Sequence, residues 1–287
     1  MTRRRGFTLI ELLTVLVLVG IVGTALYQIL VNNQRVYREQ AERIQLNENA
    51  RVAISVLPGE IRELDAADPL GSDIVALAPT ALSYKAMRGL YVLCQPPDAA
   101  GSRVTVDNTL FYGLRRLDPA QDSVLVFAEN DPSTRTDDAW LHAGAAAAMA
   151  GTDCPGGAPS LQVQLAGLTP AALAGVSSGA PLRSFEVAQV LLYGDAAGAQ
   201  WLGGRTYQKG TGTWSGTQPI VGPLSAAGLS LEYFDADGGL TGDAARVARI
   251  GISVQSRSDR RVKRPGGESY LLQTLMTHVA LRNNPRF

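Results

Sequence analysis

The chain has 287 residues, 46% of them hydrophobic, and equal numbers of basic and acidic side chains, 26 of each. That length accommodates one large domain or two small ones, with enough apolar residues for a real core. Zero formal net charge leaves no electrostatic footprint for nucleic acid and no strong long-range steering of a charged partner.

The chain opens Met1-Thr2-Arg3-Arg4-Arg5-Gly6, followed by Phe7-Thr8-Leu9-Ile10-Glu11-Leu12-Leu13. From Phe7 to Val31 run about 25 residues, mostly Leu, Ile and Val, with no Pro; this is long enough for a helix to span a hydrocarbon core. Three arginines precede the run, so the short leader stays in the cytoplasm and the remainder is translocated. A secretory signal peptide would have a shorter apolar region and a small-residue cleavage site after it; neither is present. A plain anchor accounts for the length and the arginines but not for Glu11. A carboxylate inside an apolar span carries an insertion penalty, outweighed here by sixteen Leu, Ile, Val and Phe residues. Such an acid implies a function and a partner.

Arg5-Gly6-Phe7-Thr8-Leu9-Ile10-Glu11-Leu12 resembles the processing motif of type IV prepilins and type II secretion pseudopilins. The resemblance implies that a prepilin peptidase cuts between Gly6 and Phe7 and that the new N-terminal Phe7 is methylated. It also supplies the partner for Glu11. Cleavage creates an ammonium on Phe7, and in a low-dielectric filament core the acid of one subunit pairs with the terminus of a neighbour.

After Val31 the chain turns polar, and no breaker occurs before Pro58. One helix is expected from near Phe7 to near Leu57, with Pro58-Gly59 kinking or ending it. Tyr37, Ala41, Ile44, Val52 and Val56 recur at helical spacing, so this stripe is expected to lie on the globular domain. Leu46-Asn47-Glu48-Asn49-Ala50-Arg51 and Glu60-Ile61-Arg62 resemble PilW-like minor pilins and J-type pseudopilins. So do Leu182–Val187 with Tyr193-Gly194, and Val221-Gly222-Pro223-Leu224 leading into Leu229–Asp235.

From about residue 70 the pattern changes to short strands and turns. Strands are expected at Ala81–Tyr84, Gly89–Cys94, Thr109–Arg116, Ser123–Glu129, Arg183–Tyr193, Gly204–Lys209, Leu229–Phe234, around Ile250–Val254, and at Leu271–Arg282. Residues 131–181, rich in Ala, Gly, Ser and Pro, read as a surface insertion or loop, partly helical at most. The fold class is α+β, the resemblance implying a long N-terminal helix packed on antiparallel sheet. The expected division is leader 1–6, membrane and assembly helix 7–31, soluble half of the helix 32–64, and a β-rich head 65–287 carrying the insertion. The two cysteines, Cys94 and Cys154, form one disulfide in an extracytoplasmic domain; two separate buried thiols are the alternative. A bridge closing 60 residues stabilises by roughly 4 kcal/mol in the loop-entropy picture.

Asp235-Ala-Asp237-Gly-Gly resembles the start of a calcium loop, but the twelfth position, which needs an acid, is Arg246. Asp235 and Asp237 remain weak candidates for a metal; a turn is the better reading, and no cofactor is expected. Arg257, Arg260, Arg261, Lys263 and Arg264 form a basic cluster, read as an exposed hairpin loop. No nucleophile elbow, phosphate loop or His-based acid/base set is present, so the chain is expected to be an enzyme's substrate and not an enzyme.

The leading function is a minor pilin-type structural subunit, assembled near a pilus tip and priming assembly. The alternatives are a J-type pseudopilin of type II secretion, an adhesin or DNA-uptake subunit, and a membrane-anchored enzyme. Implied partners are the prepilin peptidase, other minor and major pilins or pseudopilins, and the inner membrane, with nucleic acid disfavoured by the balanced charge. The head is expected in the periplasm.

Overall fold

A computed structural model describes residues 8–67, 72–264 and 267–282. The chain begins with a 53-residue helix, α1 (Leu9–Ile61), about 80 Å long at 1.5 Å per residue. Among the described residues thirteen strands follow: β1 (Ile74–Ala78), β2 (Ala81–Val92), β3 (Arg103–Asp107), β4 (Tyr112–Gly113), β5 (Ser123–Ala128), β6 (Ala139–Ala150) and β7 (Ser160–Ala166). After a single turn of helix, α2 (Pro170–Leu173), come β8 (Pro181–Gly194), β9 (Gln200–Gln208), β10 (Thr213–Trp214), β11 (Gln218–Phe234), β12 (Arg249–Arg264) and β13 (Gly267–Ala280). The architecture is α+β, as the sequence leads one to expect.

The strands form one antiparallel sheet in the order β13-β12-β11-β9-β8-β5-β6-β7-β3, with β2 paired to β8 and carrying β1 and β4. β8 is the hub. Pro181–Leu191 pair with β2 on one side; on the other, Leu182–Phe185 pair with β5 and Ala188–Gly194 with β9. Two cores result. One places Ala53, Leu57 and Ile61 of α1 against Leu224, Leu229, Ile250 and Ile252. The other joins Tyr91, Val104, Val124, Val163 and Leu173.

α1 outlasts the breaker at Pro58. It continues to Ile61, and the Arg62 N–H donates to the Pro58 carbonyl at 3.0 Å. A proline there removes only one intrahelical bond, and the turn is held by Leu57 and Ile61, both fully buried; burial of side chains this size stabilises by about 1.5–3 kcal/mol each.

The expected contact stripe is wrong. The residues of α1 buried on the sheet are Leu46, Ala50, Ala53, Leu57 and Ile61, whereas Tyr37, Ala41, Ile44, Val52 and Val56 face outward. Tyr37 is 75% and Ile44 60% exposed. The small Ala50 and Ala53 let the helix approach the sheet closely, and small side chains give a weaker apolar signal than the larger residues opposite.

Residues 131–181 are not a loop. They contain β6, β7 and α2, and Ala143, Ala145, Val163, Leu165 and Leu173 are core residues. Alanine has a low β preference, but pairing of β6 with β5 and β7 overrides it. Conversely, Thr109–Arg116 contributes only the two-residue β4. The basic cluster is not a loop either: Arg257, Arg260, Arg261, Lys263 and Arg264 lie within β12.

Candidate functional site

The exposed end of α1 is the chain's least self-sufficient surface. Every residue from Thr8 to Arg38 is exposed, about 45 Å of helix, and an 18-residue window within α1 has mean hydropathy 2.5 with none of it buried. Isolated apolar residues on a surface are ordinary; the continuous apolar cylinder that runs to Val31, about 35 Å long, requires lipid or another protein around it.

The threonine hydroxyls of the apolar run are satisfied locally. The Thr14 hydroxyl donates to the Ile10 and Glu11 carbonyls at 3.0 and 2.9 Å, and the Thr24 hydroxyl to Gly20 O at 2.7 Å. Such internal bonding is what a nonaqueous surrounding demands.

At the helix start, Thr8 is the N-cap. Its Oγ1 accepts from the Glu11 N–H at 3.3 Å, while the Glu11 carboxylate accepts from the Thr8 N–H and hydroxyl, both at 2.9 Å. This capping box satisfies two otherwise orphaned donors and puts the carboxylate at the positive end of the helix dipole. The signature Thr8-x-x-Glu11 is legible in the sequence, but attention to the charge of Glu11 hides its second role. Gly6 and Phe7, the expected processing site, lie outside the described residues.

Cys94 and Cys154 are joined in a disulfide, with Cα atoms 5.6 Å apart. The bond ties the segment after β2 to the connection between β6 and β7. Of the calcium candidates, the Asp235 carboxylate accepts from the Asp237 and Gly239 N–H groups at 3.1 and 2.8 Å and pairs with Arg246 at 3.3 Å. The segment is a tight turn, with Gly238 at φ +84°, and its acid is spent on holding that turn.

In the β12 cluster, Arg257 and Arg261 stack on Tyr270 of β13, 4.4 and 5.4 Å from the ring centroid. The aromatic partner comes from the facing strand, which residue spacing within the cluster could not reveal. The same arm leans on α1: the Asp259 N–H donates to Glu42 at 3.2 Å and Ser256 Oγ to the Leu46 carbonyl at 2.9 Å.

A cleft of about 710 Å³ opens beside the end of α1, with Glu63, Arg88, Tyr112, Trp140 and Arg183 in its lining. Arg88 bonds Glu186 at 2.6 Å and Glu60 of α1 at 3.4 Å, and Arg115 bridges Glu186 and Asp122 at 2.8 and 2.6 Å. These groups form a chain of alternating charge in which each carboxylate is neutralised, an arrangement suited to fastening α1 to the sheet. Sequence reasoning missed this chain, whose members are brought together only by the fold. His142 is exposed but stacks on Phe185 at 5.4 Å; the partial loss of water around its ring, and then Lys85 and Lys209, hold its imidazole below its ordinary pKa.

No curated protein and no solved structure matches the chain. Residues 1–27 match the family described as the prokaryotic N-terminal methylation motif, so this chain carries at its N-terminus the prepilin-type signal, running directly into an exposed apolar helix.

Proposed function

We propose that the protein is a minor pilin-type structural subunit. The prepilin peptidase removes residues 1–6, Phe7 is methylated, and α1 holds the chain in the inner membrane as a single span with the head in the periplasm. Other minor and major pilins then take up its helix during assembly, near the tip of a type IV pilus, where this subunit primes growth. Glu11 pairs with the Phe7 ammonium of a neighbouring subunit.

The observation that carries this reading is the exposure of α1 from Thr8 to Arg38, behind a prepilin-type signal. The outward residues Tyr37, Ile44, Val52 and Val56 extend that apolar surface beyond the membrane, as side-by-side packing with other helices requires. The Cys94–Cys154 disulfide supports a head outside the reducing cytoplasm. The PilW-like and J-type segments support the minor-subunit reading, and a J-type pseudopilin of type II secretion shares all of these features.

The test is the mass of the N-terminal peptide of membrane-derived protein from cells with an active prepilin peptidase. The expected peptide begins at Phe7 and carries one added methyl group. A peptide retaining Met1–Gly6 would reduce the protein to a tethered domain.

A further inference from the structure

The two ends of the sheet are built differently. At one end, β3 is short and already covered: the Cys94 N–H donates to Thr105 O at 3.0 Å, and Asp98 and Arg103 exchange both main-chain bonds at 2.9 and 3.0 Å. At the other end, β13 has 14 residues and, among the described residues, no neighbour beyond β12.

The bare side of β13 can be read from its bonds. The Leu281 N–H points to Ala248 O, the Leu271 N–H to Ser258 Oγ, and Gln273 O accepts from Ser256 Oγ, all toward β12. The Arg282 N–H points the other way, to Arg62 O. Main-chain groups alternate along an antiparallel strand. Leu272, Thr274, Met276, His278 and Ala280 therefore direct theirs away from β12. The side chains of these residues are exposed, Leu272 by 54% and Met276 by 71%. From Ser269 to Ala280 there is no Lys, Arg, Asp, Glu or Pro. The usual guards of an exposed edge are short length, charge, proline or a bulge. Beyond Glu268 at its start, β13 has none over Ser269–Ala280: the register shift in this hairpin adds its residues to β12, between Arg257 and Arg261.

We propose that the β13 edge is a docking strand, extended by an edge strand of a different pilin-like subunit; this rests on the assembly reading above. Geometry disfavours a second copy. Ser256, the partner of Gln273, bonds Leu46, and Arg282 bonds Arg62, so β13 runs in the same direction as α1. Antiparallel self-pairing would point two membrane helices in opposite directions. Parallel self-pairing about a two-fold axis would place the helices on opposite faces of the joined sheet, as a closed pair that cannot grow. Head-to-tail pairing would need a second long bare edge: β3 is covered, and β1, β4 and β10, the other strands with a single neighbour among the described residues, have five residues or fewer. A strand from another subunit anchored in the same membrane meets none of these obstacles. It gains main-chain bonds at five alternate residues and apolar contacts at Leu272 and Met276.

The test places a photo-crosslinking residue at Leu272 of the full-length protein in its own cells. Illumination is expected to give an adduct with a different chain that itself carries a prepilin-type signal. The adduct is lost in Met276→Pro, which removes an outward N–H without touching β12, and in Met276→Lys; Leu240→Lys, an exposed control, leaves it unchanged. Resistance of the head to limited proteolysis equal to that of the unchanged protein certifies folding, and if Met276→Pro fails that check Met276→Lys decides. Absence of an adduct despite a processed leader overturns the docking strand alone. So does an adduct of the protein with itself, or one that survives a folded Met276 variant. A retained leader overturns the assembly reading and this inference together.

Discussion

The Thr8 hydroxyl and the Glu11 carboxylate meet across the first turn of α1, Oγ1 to Oε2 at 2.9 Å. The acid thus has a local partner before any neighbour arrives, which eases its passage into the membrane. Glu11→Gln keeps an oxygen to accept from Thr8 but discards the charge. The variant is expected to insert and lose its leader normally yet be depleted from sheared filaments. Wild-type incorporation of Glu11→Gln would show that the helix cap, and not the charge, is what the filament needs.

The two faces of α1 make opposite predictions. Leu57→Ala empties a site 1% exposed and should destabilise the head by about 2–5 kcal/mol. Ile44→Lys alters the outward face and should change head stability by no more than about 0.5 kcal/mol, while reducing incorporation into filaments. Denaturant unfolding in detergent, beside immunoblots of sheared filaments, separates the two. Equal stability losses would mean that both faces pack on the sheet.

How far the sequence was legible follows from where each signal resides. The signal at residues 1–27, the apolar span and the alternation around Ile250–Val254 are local patterns, and each can be read without knowing what lies opposite. The role of Ala53 or Ala143 is not local: an alanine is core only if the opposing surface comes close enough, and that depends on strands far away in sequence. The charge chain from Glu60 through Arg88, Glu186 and Arg115 to Asp122 spans more than a hundred residues, and only the fold assembles it. The β13 edge differs again, since its sequence looks like any strand and only the sheet order leaves it bare.

Glu186 neutralises both Arg88 and Arg115 while almost fully buried. Removing it leaves Arg88 with only Glu60, at 3.4 Å, while Arg115 keeps Asp122. Glu186→Ala is expected to cost about 2–3 kcal/mol, below the roughly 3–5 kcal/mol of a fully uncompensated buried charge because each arginine keeps one carboxylate. The double variant Glu186→Leu with Arg88→Met should recover much of that loss. A single-variant cost below about 1 kcal/mol, the range of exposed pairs, would mean that water reaches the site.

The disulfide fastens the β3, β6 and β7 end of the sheet, far from α1. Cys94→Ala with Cys154→Ala should lower stability by about 2–5 kcal/mol and loosen that end first. Hydrogen exchange should rise in β3, β6 and β7 before it rises in β12, which α1 covers. Uniform loosening would indicate that the two cores unfold as one unit.

His142 supplies the pH dependence. Partial desolvation of this exposed ring against Phe185, with Lys85 and Lys209 nearby, holds its folded pKa below the ordinary value of 6.5, so the unfolded chain binds this proton more readily than the folded one. The stability contributed by the neutral ring is whole above 6.5 and is lost as pH falls from there toward the folded pKa. His142→Phe preserves a ring against Phe185 and cannot titrate. The variant should therefore lose less stability than wild type between about pH 7 and pH 5, the range in which histidine titrates, measured by thermal unfolding of the detergent-solubilised protein. Carboxylates that also titrate near pH 5 act equally on both proteins and cancel in the comparison. Identical slopes for the two would show that the imidazole is solvated well enough to take its proton in the folded state.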